Sequence, residues 1–98
     1  MGDFDYIIVG GGSSGATLAG RLAADPSLKV LLLEAGPSDG SLKIKVPLGY
    51  GSLFYDQKFN WKYETEPEPE LKGRRMYWPR GKVLGGSSAI NAMVYVRG

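Results

Sequence analysis

Residues 4–15 read FDYIIVGGGSSG, and the fold class turns on them. Phe4 to Val9 are apolar or β-prone almost without a break, the pattern of a strand covered on both faces in a parallel sheet. Three glycines end that run. Gly10, Gly12 and Gly15 then fall at G-x-G-x-x-G spacing across a strand-to-helix junction, where each glycine has its own reason. Gly10 makes the tight turn, Gly12 lets backbone approach a pyrophosphate, and Gly15 lets the helix pack close to the strand. From Ser13 to about Asp25 the chain is rich in Ala and Leu, with Ala16, Ala19, Ala23, Leu18 and Leu22 at spacings of three and four, which predicts a helix. Asp25 and Pro26 stop it. Lys29 to Glu34 (KVLLLE) is a second continuous apolar strand. Strand, helix, strand within about thirty residues is a βαβ unit with parallel strands and a right-handed crossover, so the fold class is α/β and Rossmann-like.

A helix N-terminus presents unpaired N–H groups and roughly half a positive charge, so a pyrophosphate sits there readily. Ser13 and Ser14 either add hydroxyl donors or cap the helix. Glu34 ends the second strand about twenty residues past the glycine motif, the place of an acid that accepts hydrogen bonds from an adenosine ribose. Its charge repels a 2′-phosphate, which disfavours NADP. The competing reading is a plain glycine turn followed by a solvated Glu. Strand, helix, second strand and terminal acid agree on dinucleotide binding. They do not separate NAD from FAD, since both carry an ADP half.

The 98 residues include 15 Gly, no Cys and no His, with 12 Lys+Arg against 10 Asp+Glu for a formal charge of +2. Without Cys there is no disulfide, thiolate nucleophile or thiolate-held metal. Without His the chain supplies no imidazole base, Ser-His-Asp triad or histidine ligand, so metal and catalytic residues are assigned as none. A charge of +2 spread along the chain argues against nucleic acid. Length permits one small domain. No apolar run approaches the roughly 20 residues that span a bilayer, and Met1 leaves no room for a signal peptide before the first apolar run. With the absent cysteines this favours the cytoplasm and leaves peripheral membrane association open.

Residues 35–58 carry Gly36, Gly40, Gly49, Gly51, Pro37 and Pro47 without a sustained period, which predicts a long surface excursion. Residues 60–66 (NWKYETE) and parts of 74–80 (RRMYWPR) alternate aromatic and polar around a turn-like PEPELKG, which predicts a hairpin. Trp61, Tyr63, Tyr77 and Trp78 on that hairpin read as core or subunit-interface aromatics in preference to ligand stacking. The carboxylates in 66–70 are most simply a solvated turn. Residues 80–91 (RGKVLGGSSAIN) form a second glycine run with small hydroxyl residues and an Asn. They suit either close backbone approach to a flat ligand or a Gly-Ser loop capping a short helix.

At these residues the sequence resembles the glucose-methanol-choline family of FAD-dependent oxidoreductases. FDYIIVGGGSSGATLAGRL, VLLLEAGP, NWKYETEPEPELKGRRMYWPRGK and GKVLGGSSAINAMVYVRG all look like the N-terminal portion of that family, and most like bacterial alcohol and choline dehydrogenases. The resemblance implies that Ser13, Ser14 and Glu34 bind the ADP half of FAD. It implies too that Val83, Ser87 and then Asn91, Ala92, Met93 and Val94 line the flavin and its ribityl-pyrophosphate arm. Some relatives tether the flavin through a His directly before the Asn; here that position is Ile90, which implies non-covalent FAD. Arg80 and Lys82 beside the motif either stabilise a reduced, anionic flavin or are solvated charges or phosphate-independent structural pairs.

Enzymes of this kind remove a proton from an alcohol and pass hydride from its carbon to flavin N5, with a catalytic His far toward the C-terminus. No position up to Gly98 matches it. The chain therefore divides into an ADP-binding βαβ unit (1–34), an excursion and hairpin (35–79) and a flavin-contacting segment (80–98), incomplete as a stand-alone domain. The remainder, with the small-alcohol site, is expected on a second chain or a missing C-terminal portion. A non-catalytic nucleotide-binding module or truncated remnant is the alternative. An NAD-dependent dehydrogenase shares the first motif but leaves residues 80–91 unexplained.

Overall fold

The structure is a computed structural model that describes residues 2–98. Strand β1 spans Tyr6–Val9, helix α1 Ser13–Leu22 and strand β2 Val30–Leu33. β1 and β2 pair in parallel, with Tyr6 opposite Val30 and Val9 opposite Leu33. Both strands are shorter than the apolar runs that predict them. At the near end Asp5 pairs outside the strand: its N–H donates to the Lys29 carbonyl and its Oδ2 accepts the Lys29 N–H at 2.8 Å. At the far end Glu34 leaves the strand to make the contacts described below. Helix α1 stops at Leu22, short of Asp25. The Asp25 carboxylate accepts both the N–H and the hydroxyl of Ser27, which winds residues 23–28 into turns that return the chain to β2.

The predicted excursion over 35–58 is a surface path only in part. It forms two single-turn helices, α2 at Leu42–Lys45 and α3 at Tyr50–Leu53, joined by a 3-10 turn at Pro47–Gly49. Ser41 Oγ accepts the Lys43 N–H and caps α2. A four-residue helix is too short to show a 3.6-residue period, so sequence pattern does not reveal it. Leu53 from this stretch is almost fully buried and packs with Phe59, Val83 and Ile90, flanked by Ile44 and Ala89. The excursion thus supplies a core residue to a cluster that also draws on residues 80–98, so the 35–79 and 80–98 segments share one core to which residues 1–34 contribute none.

The hairpin is present. Strand β3 (Tyr63–Glu64) pairs antiparallel with β4 (Tyr77–Trp78), and isolated bridges Asn60–Gly81 and Glu68–Arg74 extend the ladder on either side. Asn60, only 2% exposed, is its anchor. Its Nδ2 donates to the Leu53 and Phe54 carbonyls, at 3.2 and 3.0 Å. Its Oδ1 accepts the Lys62 and Arg80 N–H groups, at 2.9 and 3.0 Å. One side chain with its capacity filled therefore joins α3, the hairpin and the start of the second glycine segment.

The sheet, by contrast, is bare. Ile7 is 60% and Val9 83% exposed, and α1 contributes no buried residue. The accessible surface is 7495 Å² for 10.6 kDa, whereas a compact chain of that mass exposes about 5,500 Å². The radius of gyration, 16.6 Å, exceeds the roughly 13 Å of a compact chain of this length. A parallel strand pair needs cover on both faces, and the expectation of strands buried on both sides is not met within this chain. Among the described residues no helix is long and apolar enough to cross a membrane.

Replacing Asn60 by Ala removes four hydrogen bonds and leaves the Leu53 carbonyl and the Lys62 and Arg80 N–H groups without that partner, while the Phe54 carbonyl keeps the Tyr77 hydroxyl; a buried group left unpaired costs about 1–3 kcal/mol, with incomplete additivity. Asn60→Ala is expected to lower stability by about 3–5 kcal/mol in denaturant unfolding. An effect below about 1 kcal/mol would show that the hub is dispensable.

Candidate functional site

The turn after β1 begins with Gly10 at φ +97°, a left-handed conformation that L side chains rarely adopt. Its N–H still closes the sheet by donating to the Leu33 carbonyl at 2.7 Å. Gly15 serves packing: a Cβ there would lie 1.8 Å from the Gly10 carbonyl oxygen. Gly12 is different. It caps α1 in an extended conformation without a side-chain hydrogen bond, and a Cβ on it would meet nothing nearer than Gly86 Cα at 3.9 Å.

Glu34 clasps this loop from the side. Its Oε2 accepts the Gly11 N–H at 2.7 Å and its Oε1 accepts the Gly36 N–H at 2.8 Å. The carboxylate therefore ties the loop after β1 to the turn after β2. Each carboxylate oxygen has more than one acceptor site, so two backbone donors leave capacity for a further hydroxyl.

The second glycine segment lies directly on these two loops. The Gly85 N–H donates to the Gly11 carbonyl at 2.7 Å and the Leu84 N–H to the Pro37 carbonyl at 2.9 Å. Side chains would forbid the approach: a Cβ on Gly36 would sit 2.0 Å from the Lys82 carbonyl oxygen, and one on Gly86 2.8 Å from Gly12 Cα. Ser13 neither caps α1 nor stands free, because its hydroxyl hydrogen-bonds that of Ser88 in the 3-10 turn Gly86–Ala89. Ser14 is exposed at the helix start. Ser87 Oγ accepts the Gly81 N–H at 3.1 Å.

Gly10, Gly12, Glu34 and Ser87 share one cavity of about 680 Å³, walled further by Trp61, Tyr63 and Arg80. That volume falls within the about 300–1,000 Å³ of small-molecule sites. The other residues from the resemblance lie elsewhere. Val83 is 0% exposed in the core and lines neither cavity, and its carbonyl accepts the Gly86 N–H at 2.8 Å. Asn91 and Met93 line a second cavity of about 300 Å³ beyond the Gly86–Ala89 turn, with Asp39, Lys43, Lys45 and Tyr50. Asn91 Oδ1 accepts the Met93 N–H, Ala92 is half-buried and Val94 is exposed. In this second cavity the hydrogen bond from Lys45 holds the Asp39 carboxyl below its ordinary range, and outside its lining the one from Lys43 does the same for Asp56. Ile90 is buried with Leu53, Phe59 and Val83.

One feature departs from the core reading of the hairpin aromatics. Trp61 and Tyr63 are not core residues: they are 42% and 51% exposed and line the first cavity. Alternation along a two-residue strand does not say which face meets a cavity, so no sequence signal marks them. Arg80 and Lys82 take the structural-pair alternative, each cation lying over an indole ring, Arg80 on Trp78 at 4.8 Å and Lys82 on Trp61 at 4.6 Å from the ring centre. Among the described residues no group of three or more His, Cys, Asp or Glu could hold a metal ion.

The sequence profile described as GMC oxidoreductase matches residues 4–98. The chain is 58% identical over 95 residues to an alcohol dehydrogenase [acceptor] of Pseudomonas putida, covering 97% of this chain and 17% of that protein. It is 52% identical over 103 residues to the mitochondrial choline dehydrogenase of Homo sapiens, covering 98% of this chain and 17% of that one. Among solved structures, pyridoxine 4-oxidase from Mesorbium loti superposes with a TM-score of 0.87 at 43% identity, over 98% of this chain and 19% of that chain. A formate oxidase superposes at 0.81 and 40% identity, over 90% and 16%. The chain thus spans about a sixth to a fifth of the length of these relatives, and with its strand–glycine loop–helix unit and second glycine segment it belongs to the GMC oxidoreductase family.

Proposed function

We propose that this chain holds the ADP half of a non-covalently bound FAD in an oxidoreductase that oxidises an alcohol CH–OH group by hydride transfer to flavin N5. The observation that carries the reading is Gly12. Its backbone conformation suits any residue, and its own chain leaves room for a side chain, so nothing within the chain calls for glycine there. A pyrophosphate pressed against the start of α1 does. The first N–H groups of that helix lack intrahelical acceptors and would hold the phosphates. Ser14 adds an exposed hydroxyl, Glu34 accepts from the ribose hydroxyls, and its charge disfavours a 2′-phosphate.

In this reading residues 1–34 bind ADP, 35–79 form the excursion and hairpin, and 80–98 meet the flavin arm. Val83, Ser87, Asn91, Ala92, Met93 and Val94 are the residues this reading assigns to that arm, and of these Ser87 lines the first cavity. When bound, FAD supplies the two-electron acceptor for the substrate carbon. Ile90 supports a non-covalent link, being an aliphatic side chain buried in the core. The proton chemistry and the alcohol site are assigned outside this chain, which has no His. The uncovered faces of the β1–β2 pair would meet the rest of the FAD-binding domain. The names of the alcohol and choline dehydrogenase relatives support the CH–OH donor, and the cysteine-free composition supports a cytoplasmic setting.

Purified protein is expected to show flavin absorbance that an alcohol bleaches anaerobically. Acid precipitation should release the flavin into the supernatant; flavin retained in the pellet would overturn the non-covalent assignment. Gly12→Ala is expected to weaken FAD binding tenfold or more while leaving the unfolding midpoint unchanged. Gly15→Ala, with its Cβ against a carbonyl, is expected to destabilise by about 3 kcal/mol or more. If both variants behave alike, the distinction between ligand glycine and packing glycine fails. Glu34→Gln replaces one acceptor with a donor opposite a backbone N–H, so it should cost about 1–3 kcal/mol in stability as well as FAD affinity.

A further inference from the structure

Gly11 is the glycine that the G-x-G-x-x-G spacing leaves open, and no left-handed backbone calls for glycine there. Its surroundings account for it instead. A Cβ on Gly11 would lie 3.0 Å from Leu84 Cδ1 and 3.1 Å from Glu34 Oε2. Two side chains from distant segments, one ending in a methyl and one in a carboxylate, therefore converge on a single spot beside the Gly11 Cα. Leu84 is brought there by its main chain: its N–H donates to the Pro37 carbonyl at 2.9 Å, and the next N–H, that of Gly85, donates to the Gly11 carbonyl at 2.7 Å. The Leu84 side chain is 38% exposed, stands outside the buried cluster and lines neither cavity. Neither core packing nor ligand contact explains its place.

We infer that Leu84 is a positioning residue for the Glu34 carboxylate, so that the second glycine segment sets the acid of the first. The inference rests on the reading of Glu34 as acceptor of the ribose hydroxyls. A free glutamate samples many rotamers, and freezing such a side chain when a ligand binds costs affinity. Glu34 is frozen beforehand, with Oε2 on the Gly11 N–H at 2.7 Å and Oε1 on the Gly36 N–H at 2.8 Å. Water competes for both bonds. Leu84 fills the space beside the Gly11 bond that a water or a displaced carboxylate would take, and an apolar neighbour in place of water strengthens a hydrogen bond to a charged oxygen. The carboxylate keeps further acceptor capacity, and Glu34 lines the first cavity. Leu84, on no cavity wall, acts through Glu34.

The test is a calorimetric titration of ADP against its 2′,3′-dideoxy analogue, which lacks the hydroxyls that Glu34 accepts from, on the protein as purified and stripped of flavin. The unsubstituted protein is expected to bind ADP more tightly than the analogue. Leu84→Ala is expected to weaken ADP binding by roughly three- to tenfold, the range of one side chain newly immobilised on binding, and to leave the analogue unchanged, so that the preference for ADP shrinks by the same factor. Leu84→Met, of similar volume, should keep the preference. Equal losses for both nucleotides in Leu84→Ala would make Leu84 a packing residue only and overturn the inference, as would no loss for either. Gly11→Ala puts a methyl between Leu84 and Glu34 and must also shrink the preference; it decides the matter where Leu84→Ala does not fold, and a retained preference there overturns the inference. An unsubstituted protein that binds the two nucleotides alike would overturn the reading of Glu34 itself, a result seen before any variant is made.

Discussion

Backbone pressed against backbone, with no side chain between, is the constraint on which this structure depends. Three loops meet that way. Gly85 reaches Gly11, Leu84 reaches Pro37, and Gly86 and Gly36 lie where any Cβ would strike the facing main chain. Main-chain hydrogen bonds of this kind add modest net stability each, but burying a peptide group without one costs more. The loops are therefore joined or the cavity has no floor. Glycine weakens ordered structure by its backbone entropy, and here that cost is offset by contacts no other residue permits.

The Glu34 clasp and the Asn60 hub complete the same design from opposite sides. Glu34 ties the turns after β1 and β2 through Gly11 and Gly36, so a residue suited to a ribose also shapes the loop that would hold the phosphates. Asn60 gathers α3, the hairpin and residue 80, which brings the aromatic pair to the cavity wall. The site is therefore assembled from pieces far apart in sequence by polar side chains acting on backbone. The one well-buried cluster, Leu53, Phe59, Val83 and Ile90, lies behind it. The β1–β2 pair, in contrast, buries only Ile8 and leaves Ile7 and Val9 in the open, surface that a larger sheet would cover.

The βαβ unit was legible because its signals are local: a β-prone run, a glycine turn, an alanine-rich helix and a second run, each set by residues that are neighbours in the chain. The hairpin was legible for the same reason. The short helices of 35–58 were not, since one turn shows no period and is held by Ser41 and by packing. Val83 and Asn91 stand eight residues apart and look like one motif, yet the turn at Gly86–Ala89 puts one in the core and the other at a different cavity.

The glycine excess divides along the same line. Spacing by itself marked a glycine loop at Gly10, Gly12 and Gly15 and an acid at Glu34, and the resemblance carried by residues 80–91 pointed to the family. Only the tertiary structure decided that Gly12 is open toward the first cavity while Gly15, Gly36 and Gly86 are closed against the chain itself, and that Trp61 and Tyr63 face that cavity. The physical reason is that local conformational preference is written in adjacent residues, whereas the space around a Cα or an aromatic face depends on which distant segment arrives beside it.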